Sequence, residues 1–218
     1  MWTKEPTCLT SAALRSISLN EVKMVRMRTK IAKVLGTSVL AGSPQGRDAM
    51  LRLKVLVERP QARPTAWLWD CQGVDACSHS FGRECFVTLQ AFLRAQRSTL
   101  WPVIANASVD LSDDFRVIWK EAGTGIVTCR CDAAGRTSDV GLLGAVEPHL
   151  EATFGLVLAR GATDARELKE AHEADMGIGQ TAWNNRLAAL AAMGALVEEP
   201  AGRVKRYRPI VGEGEDGR

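Results

Sequence analysis

Short apolar runs alternate with amphipathic stretches between Met24 and Cys131, and this alternation constrains the fold more than any other feature of the sequence. The runs are VRMR, GTSVLAG, TAWLWDCQGV, WPVIANA and GIVTCRC. Each has the length of a strand, whereas the stretches between them repeat apolar residues at the three- and four-residue spacings of helices. Strands that alternate with helices predict an α/β fold.

The amphipathic stretches predict helices with one buried face each. The first is PQGRDAMLRLKVLVERP, and its predicted inner residues are Met50, Leu51, Leu53 and Leu56. The second runs from about Phe81 to Arg94, with the predicted inner residues Phe86, Leu89, Gln90 and Leu93. The third, LSDDFRVIWKEAG, is predicted to begin at Ser112, because a serine followed by acids favours a helix N-terminus.

Composition and charge limit the class of protein. The chain has 218 residues, of which 46% are hydrophobic and 24% charged, and its formal net charge is +3. No apolar run approaches the roughly 18 residues of a membrane span, and the first residues lack the apolar segment of a signal peptide. We therefore expect a cytoplasmic protein without a membrane partner.

The chain shows no pattern of reactive or metal-binding residues. Its six cysteines form no CxxC pair, so we expect neither disulfides nor a metal site. Gly-rich phosphate loops, Gly-x-Ser-x-Gly elbows and paired histidines are also missing. Isolated acids such as Asp70, Asp75 and Glu84 could line a pocket, but surface and capping roles are more common for such residues. The protein is therefore predicted not to be an enzyme and to need no cofactor.

A series of turn motifs resembles the STAS-like domain of bacterial regulators, which is related to the sulfate-transporter and anti-sigma-antagonist fold. The motifs are Gln45-Gly46-Arg47 at a helix start, Asp70-x-x-Gly73-Val74 at a strand end, and Ser78-x-Ser80-Phe81 followed by Glu84. They lie within roughly residues 30 to 131. The resemblance implies a STAS-like α/β domain, placed at residues 22–131, that senses a ligand or assembles subunits.

The turn with Ser78 and Ser80 has two interpretations. In anti-sigma antagonists the corresponding turn offers a serine for phosphorylation, and a phosphate is favourable at a helix N-terminus. The alternative is that Ser80 caps the helix that begins at Phe81. Either serine is a candidate for phosphorylation or for the cap.

The last third of the chain has a different organisation. Residues 132–141, DAAGRTSDVG, are small and polar and predict a linker between two domains. Three amphipathic stretches then predict three helices, of which the second begins at Thr163. The segment LVEEPAGRVKRYRPI predicts two strands around EPAG, which form a β-hairpin.

Three helices and a hairpin resemble the winged helix-turn-helix DNA-binding domain. The segment NNRLAALAAMGALVEE is similar to the end of that family's recognition helix, where Asn-Arg-Leu precedes a Leu and a Gly-x-Leu-Val that turns into the wing. We assign this domain to residues 142–211. The predicted fold is thus an α/β STAS-like domain plus a small winged-helix domain of three helices and a β-hairpin.

The third of these helices carries the predicted DNA contacts. A helix from about Thr181 turns Trp183, Leu187, Leu190 and Met193 inward and leaves other side chains outward. Asn and Gln can pair bidentately with adenine, and helix N-terminal amides can bind phosphate. The predicted DNA-binding residues of the helix are Gln180, Thr181, Asn184, Asn185 and Arg186. The alternative is that the asparagines only cap the helix locally.

The hairpin adds cations. Arg203, Lys205 and Arg206 are predicted to neutralise the sugar-phosphate backbone. One feature opposes this prediction, because the segment from Asp164 to Asp175 holds five acids and two cations and would repel DNA.

The sequence as a whole predicts a transcriptional regulator that binds double-stranded DNA. A homodimer and a regulatory protein are further candidate partners, since a twofold-symmetric DNA target favours a dimer. The alternative is a partner-switching module in which both domains bind proteins and not DNA.

Overall fold

The computed structural model describes residues 25–57, 61–202 and 204–214. Residues 22–24 of the predicted first domain, and the predicted DNA contact Arg203, lie outside the described residues. In chain order the elements are β1 (Val25–Lys30), α1 (Ile31–Leu35), β2 (Val39–Leu40), α2 (Ser43–Val55), β3 (Thr65–Asp70), β4 (Ala76–Cys77), α3 (His79–Gly82), a π-helical turn (Arg83–Val87), α4 (Thr88–Ala95), β5 (Leu100–Ala105), α5 (Val109–Glu121), β6 (Gly125–Cys131), β7 (Thr137–Gly144), α6 (Pro148–Arg160), α7 (Ala165–Met176), α8 (Gln180–Met193), β8 (Leu196–Ala201) and β9 (Val204–Pro209).

The central sheet has five strands in the order β1-β3-β5-β6-β7. The first four are parallel, and β7 pairs antiparallel to β6 at the edge. The prediction of an α/β fold is confirmed. The run GTSVLAG does not enter this sheet, because β2 pairs only with β4 in a separate two-stranded sheet.

The helices between the parallel strands cover one face of the sheet. The parallel strands follow one another in chain order across the sheet. Crossover connections of the same hand therefore place the connecting helices on the same face of the sheet. Trp67 and Trp69 of β3 point into this layer and share a core with Phe86, Phe115 and Trp119. The Trp69 and Phe86 ring centroids are 5.2 Å apart. Aromatic packing therefore fills the first interface.

The predicted inner face of the second helix is confirmed, and that of the first is partly wrong. Phe86, Leu89, Gln90 and Leu93 are all buried. However, Leu51 of α2 and Leu56, which follows the last residue of α2, are 58% and 46% exposed. The buried positions of α2 are Gly46, Ala49 and Leu53. This narrower stripe follows from close helix packing, since a Cβ at Gly46 would lie 2.9 Å from the Phe81 carbonyl oxygen.

The second face of the sheet is covered by the C-terminal helices and hairpin. Ala66 and Leu68 of β3 belong to a buried cluster that also contains Trp183, Leu187 and Leu190 of α8. The contact is close at the C-terminal end of α8, because a Cβ on Gly194 would lie 3.0 Å from the Trp101 ring. One apolar cluster thus joins the sheet to the last third of the chain.

The predicted linker, residues 132–141, is not an irregular connection. Residues 137–141 belong to β7, and Thr128 and Cys131 of β6 pair with Gly141 and Thr137. Residues 132–136 form the turn of this hairpin, where the Asp132 and Arg136 backbones are hydrogen-bonded. The small and polar residues of the segment are typical of a linker and also of an edge strand, which needs few apolar residues.

Two predicted helix caps are wrong by a few residues, because Ser108 and Asp164 are the caps and not Ser112 and Thr163. Of the two candidates in the serine turn, Ser78 is the cap and Ser80 is not. Thr163 does not serve as the helix cap, because its backbone N–H and C=O groups are both hydrogen-bonded to Tyr207. The C-terminal hairpin is confirmed, but its strands continue through EPA to the pair Ala201 and Val204.

Candidate nucleic-acid interface

Helix α8 has a buried side and an exposed side, as its spacing predicts. Trp183, Leu187 and Leu190 are fully buried, while Met193 is half-buried. Four of the predicted contact residues are exposed, namely Gln180, Thr181, Asn184 and Asn185. The buried residues of α8 belong to the same core cluster as residues of α6, α7 and β8. The structure therefore brings the four polar side chains together on the open side of the first two turns.

Within the described part of the chain, none of these four side chains makes a hydrogen bond or an ion pair. The N-cap residue of the helix is Gly179, so no side chain caps the N-terminus of α8. The alternative that Asn184 and Asn185 serve as caps therefore has no support in the geometry. Their amides, and the free backbone N–H groups of the first turn, are available to an external partner.

The fifth predicted contact of the helix, Arg186, differs from the others. It is half-buried, and its guanidinium lies 5.3 Å from the centroid of the Trp183 ring. Stacking on an aromatic face holds an arginine without neutralising its charge. Arg186 thus remains a cation beside the exposed amides.

The hairpin cations are paired with acids of the same unit. Lys205 Nζ lies 2.9 Å from Glu198 across the strand pair, and this contact raises the pKa of Lys205. Arg206 reaches Glu167 at 3.3 Å and the Ala162 carbonyl oxygen at 3.1 Å. Both pairs are at least partly exposed, so each contributes little to stability and can exchange its partner for a phosphate.

The acids of α7 are also largely compensated. Glu167 completes a capping box with Asp164 and receives Arg206. Two further acids of the helix form i,i+4 pairs, namely Arg166 with Glu170 at 2.7 Å and Lys169 with Glu173 at 3.4 Å. The repulsion that this segment would exert on DNA is therefore reduced, because Glu167, Glu170 and Glu173 each have a cation beside them.

The serine turn has a structural function. Ser78 Oγ accepts hydrogen bonds from the Phe81 and Gly42 backbone N–H groups, at 3.3 and 3.2 Å. Ser80 Oγ lies 3.3 Å from Ser78 Oγ, and both serines are half-buried. A phosphate on Ser78 would displace the contact with Gly42, which joins the start of α2 to the start of α3.

A polar cluster that the sequence patterns do not predict lies at the carboxyl ends of the parallel strands. Asp70 ends β3 and is fully buried, and Arg28 of β1 holds it through Nε and Nη2 at 3.0 and 2.9 Å. Asn106, just after β5, donates to Asp70 Oδ1 at 2.9 Å. A signal was present, because parallel strands in register bring their final residues to one edge.

Comparisons with other proteins give no family for the chain. No protein-family model matches it, and no curated protein matches it. None of the helices in the described ranges is both long and apolar enough to cross a membrane. Among the same residues, no group of three or more His, Cys, Asp and Glu is placed to hold a metal.

Proposed function

We propose that the chain is a DNA-binding transcriptional regulator whose C-terminal unit, α6 to β9, acts as a winged helix. The observation that carries this proposal is the open side of α8, where exposed amides and a hydroxyl have no hydrogen-bond partner in the described part of the chain. The donors and acceptors of these exposed side chains are therefore free for an external partner. The N-terminal α/β unit would then be the STAS-like part that senses a ligand or assembles subunits.

The chemistry of the four side chains suits the major groove. Asn184 and Asn185 can each accept and donate with adenine, and the α8 N-terminus can hold a phosphate. Lys205 and Arg206 would leave Glu198 and Glu167 to bind the sugar-phosphate backbone of DNA. The loss of the two ion pairs would offset part of the free energy gained from the phosphate contacts. A cytoplasmic homodimer on a twofold-symmetric site fits this arrangement.

The proposal is tested by selecting duplexes from random DNA and measuring binding of a selected and a scrambled site at several salt concentrations. Asn185→Ala is expected to weaken the selected site by about 1 to 3 kcal/mol with little effect on the scrambled one. Lys205→Ala is expected to weaken both alike and to lower the log–log salt slope by about one.

Two matched variants control for the loss of an amide and of a charge. Gln96→Ala removes an exposed amide at the end of α4, and Lys120→Ala removes an exposed cation from α5. Neither should change DNA affinity. Wild-type protein that selects no duplex at low salt would refute DNA binding.

The paired hairpin cations favour a second candidate, the partner-switching module. If Lys205 and Arg206 serve to hold the hairpin to Glu198 and Glu167, the surface is fixed for a protein partner. This candidate predicts that wild type and Lys205→Ala are equally unable to bind duplex DNA at low salt.

A further inference from the structure

A cavity of about 580 Å³ opens at the carboxyl ends of β1, β3, β5 and β6. Its lining residues are Arg28, Lys30, Gln72, Asn106, Arg130, Cys131, Asp132 and Ala133. Open parallel sheets bind ligands at this edge, because the loops that follow the strands converge there. The position and the polar lining both suggest a binding site for a small molecule.

The charges around the cavity do not balance. Arg28 is paired with the buried Asp70. The Asp132 carboxylate accepts from the Arg136 backbone at 2.9 Å and from its side chain at 2.8 Å, and this bonding lowers the pKa of Asp132. Lys30 and Arg130 are exposed and make no hydrogen bond or ion pair among the described residues. Two positive charges therefore remain without a counter-ion among the residues that the structure describes.

The backbone next to these two cations is held in place by Asn106. Asn106 has a left-handed backbone, with φ of 58°, which costs free energy for a residue other than glycine. Its side chain accepts from the Cys131 N–H at 2.8 Å and donates to the Cys131 carbonyl oxygen at 3.1 Å. The same amide holds Asp70, so β3, β5 and β6 are tied together at the cavity. Such a preformed frame reduces the ordering cost of binding.

We propose that this cavity binds the phosphate group of a small phosphorylated metabolite. A phosphate monoester carries about −1.5 to −2 charges near pH 7, which matches the two uncompensated cations. An arginine supplies a planar fork for phosphate oxygens and a lysine supplies a point charge. A cationic ligand would be repelled, and the largely polar lining does not favour an apolar one. The inference is independent of DNA binding.

The test is a titration of the ¹⁵N-labelled full chain with inorganic phosphate at constant ionic strength and without DNA. Saturable shifts are expected in the backbone amides of residues 28–30, 72, 106 and 130–133. Lys30→Gln and Arg130→Gln should each weaken binding, and the double variant should raise the Kd at least about tenfold. Arg28 is left unchanged, because its loss would leave the buried Asp70 carboxylate without its cationic partner.

The control is Arg160→Gln, which removes an exposed cation at the end of α6. It should bind phosphate like the wild type, and amide spectra of all variants report whether they are folded. Succinate serves as a dianion without phosphate and should bind more weakly. Unsaturable shifts in the wild type, equal loss in Arg160→Gln, full binding by the double variant or equal affinity for succinate would each overturn the proposal.

Discussion

At the scale of single residues, helix starts show where the sequence is ambiguous. Ser78 and Ser80 both precede a helical pattern, and either hydroxyl could accept the first free N–H group. The choice falls on Ser78, because its oxygen also meets the Gly42 N–H from another segment. Asp164 likewise displaces Thr163, whose backbone pairs with Tyr207. Such contacts are distant in the chain, so a local pattern cannot identify them.

Ser78→Ala should therefore destabilise the protein more than Ser80→Ala. Loss of an N-cap costs about 0.5 to 2 kcal/mol, and the Gly42 N–H loses its acceptor as well. Ser80→Ala removes only the contact between the two hydroxyls. Urea unfolding of both variants gives the comparison, and equal stabilities would show that the cap is unimportant.

The buried thiols predict a loss of stability at alkaline pH. Burial raises the pKa of Cys77 and of Cys129 to about 12, and the Asp114 charge adds to the effect at Cys77. An unfolded thiol ionises near pH 8.5, so above this value the folded state holds protons that the unfolded state has lost. The free energy of unfolding should thus be unaffected by these thiols at low pH and fall as the pH rises from about 9 to 12.

Cys77→Ala should reduce this slope by up to about 1.4 kcal/mol per pH unit, together with a constant offset from the lost packing. The free energy of unfolding is measured in urea at several pH values from 7 to 11. An unchanged slope in both Cys77→Ala and Cys129→Ala would contradict the linkage.

At the scale of elements, apolar runs were good predictors of buried strands and poor predictors of the edge. The run TAWLWD is buried at every position of β3, and four of the five runs predicted from the sequence form the parallel strands. In contrast, β7 contains Ser138 and Asp139 on its exposed positions, and its polar sequence predicts a linker as readily as a strand. Its pairing with β6 is a property of the hairpin, which periodicity in one segment does not reveal.

Asn106 should be essential to the junction of β5 and β6. Asn106→Ala loses the hydrogen bonds to Asp70 and Cys131 and keeps an unfavourable φ, so a loss of at least about 1 to 3 kcal/mol is expected. Asn106→Gly relieves the backbone and should be less destabilised than Asn106→Ala by about 1 kcal/mol. Chemical unfolding of both variants separates the two contributions. Wild-type stability in Asn106→Gly would mean that the side-chain bonds contribute nothing.

At the scale of the whole molecule, the two faces of the sheet depend on different parts of the chain. A strand that is apolar on both sides requires two covering layers, and the sequence of β3 already carried that information. What it could not specify was the origin of the second layer, which comes from α8 and its neighbours. The exposed amides of α8 were predicted, whereas the cavity at the strand ends was not, because its residues come from four separate strands.

Separation of the chain after Gly144 should expose the second face. Ala66, Leu68 and Val103 would lose their cover, and exposed apolar area of this kind causes aggregation or loss of fixed packing. We expect residues 1–144 alone to bind a hydrophobic dye and to lack a cooperative thermal transition. Addition of residues 145–218 should abolish the dye binding and restore a cooperative transition. Cooperative unfolding of the isolated fragment near the Tm of the full chain would instead support two autonomous domains.

The segment after β9 returns to the sheet and acts as a tether. Gly214 donates its N–H to the Thr137 carbonyl oxygen at 2.8 Å, and the Thr137 hydroxyl donates to the Gly212 carbonyl oxygen. Thr137 begins β7 directly after the turn that carries Asp132. A rotation of the β8–β9 hairpin relative to the sheet would have to break these two hydrogen bonds. The hairpin and the β7 edge of the sheet are therefore expected to move as one body.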